Sequence, residues 1–215
     1  LGVGDLGLHL VRSEALRAGA PLSVVTAPLT ERAGLATWIL PATDDRLRTH
    51  VVTPAGRFAF QEWFVRRRHA DEVDAVEIEG ADTALPAPGV VEALARAEAI
   101  VFAPSNPYLS LGPIVAVHAI REALERRGVR CVAVSPIVGG AAVTGPLARM
   151  LTRMGGGTTP AHVARCHEGL IDALVIDESD APARADVELV VTATLMRDRD
   201  AERRLAEVVV EAACG

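Results

Sequence analysis

Two polar turns in the middle of the chain carry the residues best suited to bind an anion. One reads Ala103-Pro104-Ser105-Asn106-Pro107 and the other Ser135-Pro136-Ile137-Val138-Gly139-Gly140. Backbone amides at Gly139, at Gly140 and at the start of a helix opening at Pro113 could donate hydrogen bonds to phosphate oxygens. Serine, proline and glycine also form ordinary tight turns. The pattern alone therefore leaves an anion site and a purely structural pair of turns equally open.

The better-known catalytic motifs are missing from the sequence. It contains no Walker loop, GxGxxG, HExxH, GxSxG or paired CxxC motif. His162 and His167 are five residues apart, so they do not share a helical face and do not suggest a two-histidine metal site. Asp177, Glu178 and Asp180 follow a predicted strand and could ligate a metal, although such acids more often cap turns or face water.

The residues around the two turns predict a strand–helix–strand unit. Residues 99–103 and 129–134 are short apolar runs, typical of strands buried on both faces of a parallel sheet. Between them, Pro113 opens a helical pattern with a 3.6-residue apolar period, and Gly128 ends it. A parallel crossover places both strand ends at one edge of the sheet, where ligands of open α/β sheets bind.

The whole pattern predicts an α/β fold: a three-layer, doubly wound, mostly parallel sheet of Rossmann-like type in one domain, residues 1–215. Further helices are predicted at 6–17, 23–32, 89–97, 145–154, 159–168 and 200–213, and strands at 73–78, 174–176 and 187–192. Ser23 is the expected N-cap of the second helix. Residues 36–68 predict a small antiparallel excursion with strands at 37–40, 49–53 and 58–65. Within it, Trp63 is either core or, beside Glu62, a surface for stacking on a heterocycle.

Composition limits the partners and the compartment. The chain of 215 residues has 22 basic and 28 acidic side chains, and its longest basic run is Arg66-Arg67-Arg68, which argues against a nucleic-acid partner. No apolar run approaches the ~20 residues that span a bilayer. The three cysteines show no metal-ligand spacing and fit a reducing cytoplasm. The chain begins at Leu1 without a leading strand or a glycine-rich first loop, so we expect an amino-terminal segment to precede it.

Six short stretches occur in a fixed order and are spread over essentially the whole length of the chain. They are Asp5-Leu6 with His9-Leu10 and Arg12; Asp44-Asp45-Arg46 through Thr49; Gln61-Glu62-Trp63-Phe64-Val65-Arg66; Pro104-Ser105-Asn106-Pro107 with Ser110 to Pro113; Ser135 to Gly140 with Gly145-Pro146; and Thr194-Leu195-Met196. Taken together, these stretches resemble the 2-phospho-L-lactate transferase family, which assembles the deazaflavin coenzyme F-420.

The resemblance implies a phosphoryl-group transfer. The terminal ribityl hydroxyl of 7,8-didemethyl-8-hydroxy-5-deazariboflavin would attack a guanosine diphosphate conjugate, accept a phospholactyl or phosphoenolpyruvyl group and release GMP. Such a reaction requires donor and acceptor in line and neutralised phosphate charge, for which Mg²⁺ is the usual ion. The resemblance places the paired aspartates that hold this ion before Leu1, so no metal ligand is expected in this chain. It also implies a homodimer.

Residue by residue, the resemblance implies a site in three parts. The catalytic pair on the acceptor side would be Asp5 and His9. Substrate would be bound by Ser105, Asn106 and Pro107 at the donor phosphates or acyl carboxylate, by Ser135, Pro136, Gly139 and Gly140 at the nucleotide diphosphate, and by Glu62 and Trp63 at a ring or a dimer partner. Several positions depart from the family pattern: Val3 and Gly4 stand where an acid and a base are common, Leu8 where threonine is common, and Thr144 where a basic residue is frequent.

Two alternatives would use the same architecture. A related nucleotide-sugar-binding regulator of gluconeogenesis would use these turns without transferring a group. An inactive, truncated paralogue would only fold or pair. The acceptor-side Asp5 and His9, together with Gln61-Glu62-Trp63, favour the transferase.

Overall fold

The computed structural model describes residues 2–215, except for the side chains of Val3 and Asp5. The helices are α1 Val3–Arg17, α2 Leu22–Arg32, α3 Val90–Arg96, α4 Gly112–Val115, α5 His118–Glu125, α6 Leu147–Gly155, α7 Pro160–Arg165 and α8 Arg199–Cys214. The strands are β1 Arg48–Thr53, β2 Gly56–Ala59, β3 Ala75–Glu79, β4 Ile100–Phe102, β5 Cys131–Val134, β6 Ile137–Val138, β7 Ala141–Ala142, β8 Ala173–Asp177 and β9 Glu188–Thr192. Of the described helices, none has the length and apolar character needed to cross a membrane.

The central sheet has four parallel strands in the order β4-β5-β8-β9. Every residue of β5 and of β8 is buried, as expected for inner strands that are covered on both faces. The register pairs Phe102 with Ala133 and Val134 with Val175. The predicted strand–helix–strand unit is thus confirmed, and its two strands are direct neighbours.

Helices cover both faces of this sheet and make three layers. On one face, Leu205 and Val209 of α8 pack against residues of β5 and β8 such as Val132 and Val175. On the other face, α5, α6 and α7 contribute Ile120, Leu124, Leu151 and Val163 to a larger core. Each such buried side chain stabilises the fold by about 1.5–3 kcal/mol. The predicted three-layer, doubly wound α/β fold is confirmed.

A separate antiparallel sheet has the order β2-β1-β3. The excursion predicted for residues 36–68 therefore occupies 48–79, and its third strand is β3. The strand predicted at 37–40 is wrong, since this stretch is an irregular segment in which Trp38 is 87% exposed. The strand predicted at 58–65 is also wrong beyond Ala59, because Glu62–Arg66 form a π-helical turn. The aromatic residues at 60, 63 and 64 have helical spacing, which the alternating-strand interpretation overlooked.

Two helix starts differ from the prediction. The helix expected to open at Pro113 begins earlier, with a π-helical segment Pro107–Leu111 that continues into α4 and, after extended Val117, into α5. Ser23 is not an N-cap, since α2 already begins at Leu22 after Pro21. Instead, the backbone amide and the hydroxyl of Ser23 each donate a 2.6 Å hydrogen bond to Asp44, so a distant carboxylate satisfies this helix end.

Candidate functional site

The carboxyl ends of all four parallel strands lie at one edge of the central sheet, and a polar residue lies at or just beyond each of these ends. Asn106 lies beyond β4, Ser135 directly follows β5, Asp177 ends β8, and Thr194 lies beyond β9. The two turns singled out in the sequence are neighbours, because β4 and β5 pair in parallel. This is the edge at which open α/β sheets bind ligands.

A cavity of about 420 Å³ opens at this edge, and we call it the edge cavity. Its lining comprises Pro104, Asn106, Leu109, Ser110, Ser135, Pro136, Val138, Val143 to Leu147 and Thr194 to Met196, and, from the antiparallel part, Phe60 and Phe64. Among the described residues of this lining, none has a charged side chain. The cavity thus has a wall of turn residues with hydroxyl and amide groups and a wall with two aromatic rings.

Asn106 lies at the start of the helical segment Pro107–Leu111 and caps it. Its Oδ1 accepts hydrogen bonds from the amides of Tyr108 (2.9 Å) and Leu109 (3.1 Å). Its Nδ2 has only a long contact of 3.7 Å to Sδ of Met150. The carboxamide oxygen is therefore committed to the fold, whereas the amide nitrogen can donate to a ligand in the cavity.

Ser135 and Thr194 place hydroxyl groups on the turn wall. Ser135 is only 3% exposed, and its Oγ accepts a hydrogen bond from the amide of Ile137 at 3.2 Å. Thr194 is fixed by Asp177, whose carboxylate also accepts hydrogen bonds from Ser179. Burial acts to raise the pKa of Asp177, but these hydrogen bonds outweigh it and lower the pKa to about 2. Asp177 is thus ionised, and its carboxylate accepts hydrogen bonds from the segments that follow β8 and β9.

The amides of Gly139 and Gly140 are not free, which corrects the anion site predicted there. Both glycines have positive φ, and their amides converge on the carboxylate of Asp180 at 3.1 and 2.7 Å. Asp180 thus occupies the anion nest that the glycine-rich turn forms. Neither glycine lines the edge cavity. Gly140 borders a second cavity of about 680 Å³, which shares Pro146 with the first.

The amides predicted at Pro113 are also unavailable, because Pro113 lies within continuous helical structure. The helix start that lines the edge cavity belongs instead to α6. Gly145, with φ +74°, turns the chain so that Pro146 and Leu147 begin this nine-residue helix at the cavity lining. Within residues 2–215, no side chain caps it. Its first amides and the positive end of its dipole are therefore suited to a negatively charged group.

Trp63 is the core residue of its segment, so the prediction that it contacts a ligand ring or a dimer partner is wrong. Its side chain is 0% exposed, and its Nε1 donates to the carbonyl of Asp71 at 3.3 Å. Glu62 is exposed and does not line the edge cavity. The aromatic side chains that reach the cavity are Phe60 and Phe64, which are one helical turn apart. That spacing was the available signal for them.

The other predicted residues lie away from the edge cavity. His9 is exposed on α1, which packs against α2, and is not part of the lining. The side chain of Asp5 lies outside the described residues. Ser105 donates its amide to the carbonyl of Ala103 at 2.7 Å, and Pro107 is buried. Of the predicted substrate-binding residues, the structure gathers Asn106, Ser135 and Pro136 at one cavity.

The described part of the chain contains no group of three or more His, Cys, Asp or Glu side chains placed to hold a metal ion. Asp177 and Asp180, which the sequence left open as ligands, both serve as hydrogen-bond acceptors for neighbouring turns. These residues do not fit a magnesium site by themselves.

The three-layer, mostly parallel sheet, with a cavity and an uncapped helix start at its carboxyl edge, places the chain in the class of Rossmann-like proteins that bind ligands at this edge. The chain belongs to the family described as 2-phospho-L-lactate transferase CofD, whose family model matches residues 2–212. It is therefore a transferase.

Curated relatives agree with this assignment, and a solved structure agrees with the fold. The chain is 41% identical over 223 residues to a phosphoenolpyruvate transferase of Streptomyces griseus, covering 99% of this chain and 70% of the relative. It is 36% identical to a 2-phospho-L-lactate transferase of Methanosarcina mazei, covering 99% of this chain and 71% of the relative. A crystal structure of a Bacillus halodurans protein superposes with a TM-score of 0.67 at 16% identity, covering 98% of this chain and 72% of that one, and shows the shared fold.

Proposed function

We propose that the chain transfers a phosphoenolpyruvyl or phospholactyl group from a guanosine diphosphate conjugate to the ribityl hydroxyl of 7,8-didemethyl-8-hydroxy-5-deazariboflavin. GMP is the product released, and the reaction belongs to coenzyme F-420 biosynthesis. The observation that carries this proposal is the edge cavity, where Asn106, Ser135 and Thr194 face the same space as the uncapped start of α6. The names of the relatives supply the transferred group.

Of the two donors, we favour the enolpyruvyl conjugate. The Streptomyces griseus and Streptomyces coelicolor relatives, each 41% identical, are named phosphoenolpyruvate transferases. The phospholactate transferase of Methanosarcina mazei is 36% identical. Competition between the two conjugates in one assay decides this point, and preferential use of the lactyl conjugate would contradict it.

The proposed mechanism rests on positioning. The amides at the start of α6 and the Nδ2 of Asn106 hydrogen-bond the phosphoryl oxygens, while Ser135 and Thr194 orient the attacking chain. Phosphoryl transfer gains most from such alignment and from charge stabilisation with water excluded. The apolar remainder of the lining excludes water. No step is assigned to Mg²⁺, because the described carboxylates offer no suitable ligand set.

Several expectations from the resemblance stay proposals. Asp5 and His9 act on the acceptor side, and Ser105 and Pro107 shape the donor turn. Binding of GDP, homodimer formation and a cytoplasmic location are proposed on the same basis.

Asn106 provides the sharpest test of the mechanism. Asn106→Ala removes both the cap and the amide donor, and we expect lower stability together with lost turnover. Asn106→Asp keeps an acceptor for the amides of Tyr108 and Leu109 but replaces the donor with a negative charge. We expect this variant to unfold like the wild type and to lose turnover by a factor of about a hundred. Unchanged turnover in Asn106→Asp would refute the assigned role.

Binding measurements separate the proposed transferase from its alternatives. Isothermal titration calorimetry with GDP and with deazariboflavin should show binding of both ligands to the wild type. A nucleotide-binding regulator would bind GDP alone, and an inactive paralogue would bind neither. Either of those two results would overturn the proposed function.

A further inference from the structure

The wall of the edge cavity formed by the antiparallel part consists of Phe60 and Phe64. Their ring centroids are 5.3 Å apart and their planes are inclined by 32°. Phe60 is half-buried, whereas Phe64 is 37% exposed. Both side chains lie in the cavity lining. They therefore present an aromatic surface to whatever the cavity binds, and we call this pair the aromatic wall.

The rings of the aromatic wall pack against Trp63 and His69, which do not line the edge cavity. Buried Trp63 lies 6.4 Å from Phe60 and 6.2 Å from Phe64, measured between ring centroids. His69, in a left-handed conformation with φ +42°, places its ring 5.1 Å from Phe64. Arg149 of α6 then donates hydrogen bonds to the carbonyls of His69 and Ala70. Such support keeps the two rings in one arrangement before a ligand arrives, which lowers the entropic cost of binding.

The lining also restricts the chemistry of the ligand portion that this wall can hold. No charged side chain is found among the described lining residues, so a doubly charged diphosphate would have no counter-ion against the aromatic wall. The same lining includes the hydroxyl-bearing residues Ser110, Ser135, Thr144 and Thr194. A flat fused ring that continues into a hydroxylated chain matches both walls, and deazariboflavin has this form. A guanine base has two fused rings instead of three and would cover less of the aromatic wall.

We infer that Phe60 and Phe64 form the stacking platform for the fused ring of the acceptor. The ribityl chain then follows the hydroxyl groups of the turn wall, so that its terminal hydroxyl reaches the start of α6. This assignment rests on the proposed function and specifies which wall of the site recognises the acceptor. Flat stacking against an aromatic face explains how an uncharged cavity can select a heterocycle.

The test compares the wild type with Phe60→Ala and Phe64→Ala. Affinity for deazariboflavin is measured from the quenching of its fluorescence on binding, and KM is measured for each substrate. We expect Phe64→Ala to weaken acceptor binding about tenfold, with Phe64→Tyr restoring it. Affinity for GDP should not change. Val65→Ala is the matched control, because Val65 is 62% exposed on the same π-helical turn and lies outside the cavity lining.

Circular dichroism establishes that each variant is folded, and Phe60→Leu replaces Phe60→Ala if the smaller side chain prevents folding. Normal acceptor affinity in the variants of both phenylalanines would overturn the inference and leave the proposed function intact. Loss of GDP affinity in place of acceptor affinity would overturn it too, since the wall would then hold guanine. A wild type that binds no deazariboflavin would refute the proposed function itself.

Discussion

The carboxylate of Asp177 at the end of β8 accepts hydrogen bonds from both the amide and the hydroxyl of Thr194, at 2.9 and 3.1 Å. Asp177 itself is 8% exposed, and Thr194 lines the edge cavity. One buried acid thus fixes the position of a cavity residue that lies beyond the neighbouring strand. Asp177 is a positioning residue, because it holds Thr194 and is not itself part of the cavity lining.

This relationship predicts a stability loss in Asp177→Asn. The folded-state pKa of about 2 lies below the ordinary value of 3.8, so the carboxylate stabilises the protein above about pH 4 and ceases to do so as the pH falls towards 2. We expect Asp177→Asn to lose about 1–2 kcal/mol near neutral pH. Urea unfolding at a series of pH values checks this, with the exposed neighbour Glu178→Gln as control. A difference that persists undiminished at the acid end would contradict the linkage.

A second pH dependence is expected from His167. The imidazole is 4% exposed, and its edge meets the ring of Phe102 at 5.4 Å and 86°. Burial lowers the pKa of His167 to about 4. Between that pH and about 6.5, His167 binds a proton in the unfolded chain but not in the folded chain. The free energy of unfolding therefore falls with acidification, by up to about 3 kcal/mol. His167→Gln should flatten this slope, whereas the exposed His118→Gln should keep it.

The Asp180 carboxylate predicts a local effect on the glycine turn. Asp180→Ala removes the acceptor for two converging amides, and we expect a loss of about 1 kcal/mol, since water replaces part of what is lost. Hydrogen exchange of the Gly140 amide, followed by NMR, should become faster. Glu178→Ala should leave that exchange rate unchanged. Equal exchange rates in wild type and Asp180→Ala would show that the carboxylate does not hold the turn in solution.

The two tryptophans predict a spectroscopic difference. Trp38 is 87% exposed and Trp63 is 0% exposed. Trp63→Phe should remove the blue-shifted, poorly quenched part of the fluorescence and leave emission that acrylamide quenches fully. Trp63→Ala should also destabilise the protein by about 3–5 kcal/mol, because it opens a cavity in the core. A fully quenchable wild type would contradict the burial of Trp63.

The central sheet was predictable because its signals are local. Each of its strands is a short apolar run followed by proline, serine, asparagine or another turn-forming residue, and the crossover rule then places the turns at one edge. The edge itself, with Asn106 and Ser135 on neighbouring turns, therefore follows from the sequence.

What the sequence did not reveal depends on contacts between distant residues. Gly139 and Gly140 have the composition of an anion nest, but the acid that fills it, Asp180, lies forty residues further along the chain. Likewise, the Asp44 carboxylate that completes α2 lies 21 residues from Ser23. Trp63 and Phe64 are adjacent in sequence, and only packing decides which of them enters the core. The intrinsic conformational propensity of a residue cannot separate such cases, because tertiary contacts decide them.

The edge cavity lies between two sheets that share no strand. Its turn wall follows strands of the parallel sheet, and its aromatic wall lies on the helical segment that follows β2 of the antiparallel sheet. The two are joined by α6, whose Arg149 bonds to His69 and whose Arg153 pairs with Asp74 at 2.7 Å. The width of the edge cavity therefore depends on these contacts of α6 as well as on the lining residues. We expect replacement of either arginine to change the width of the edge cavity while every residue of its lining stays the same.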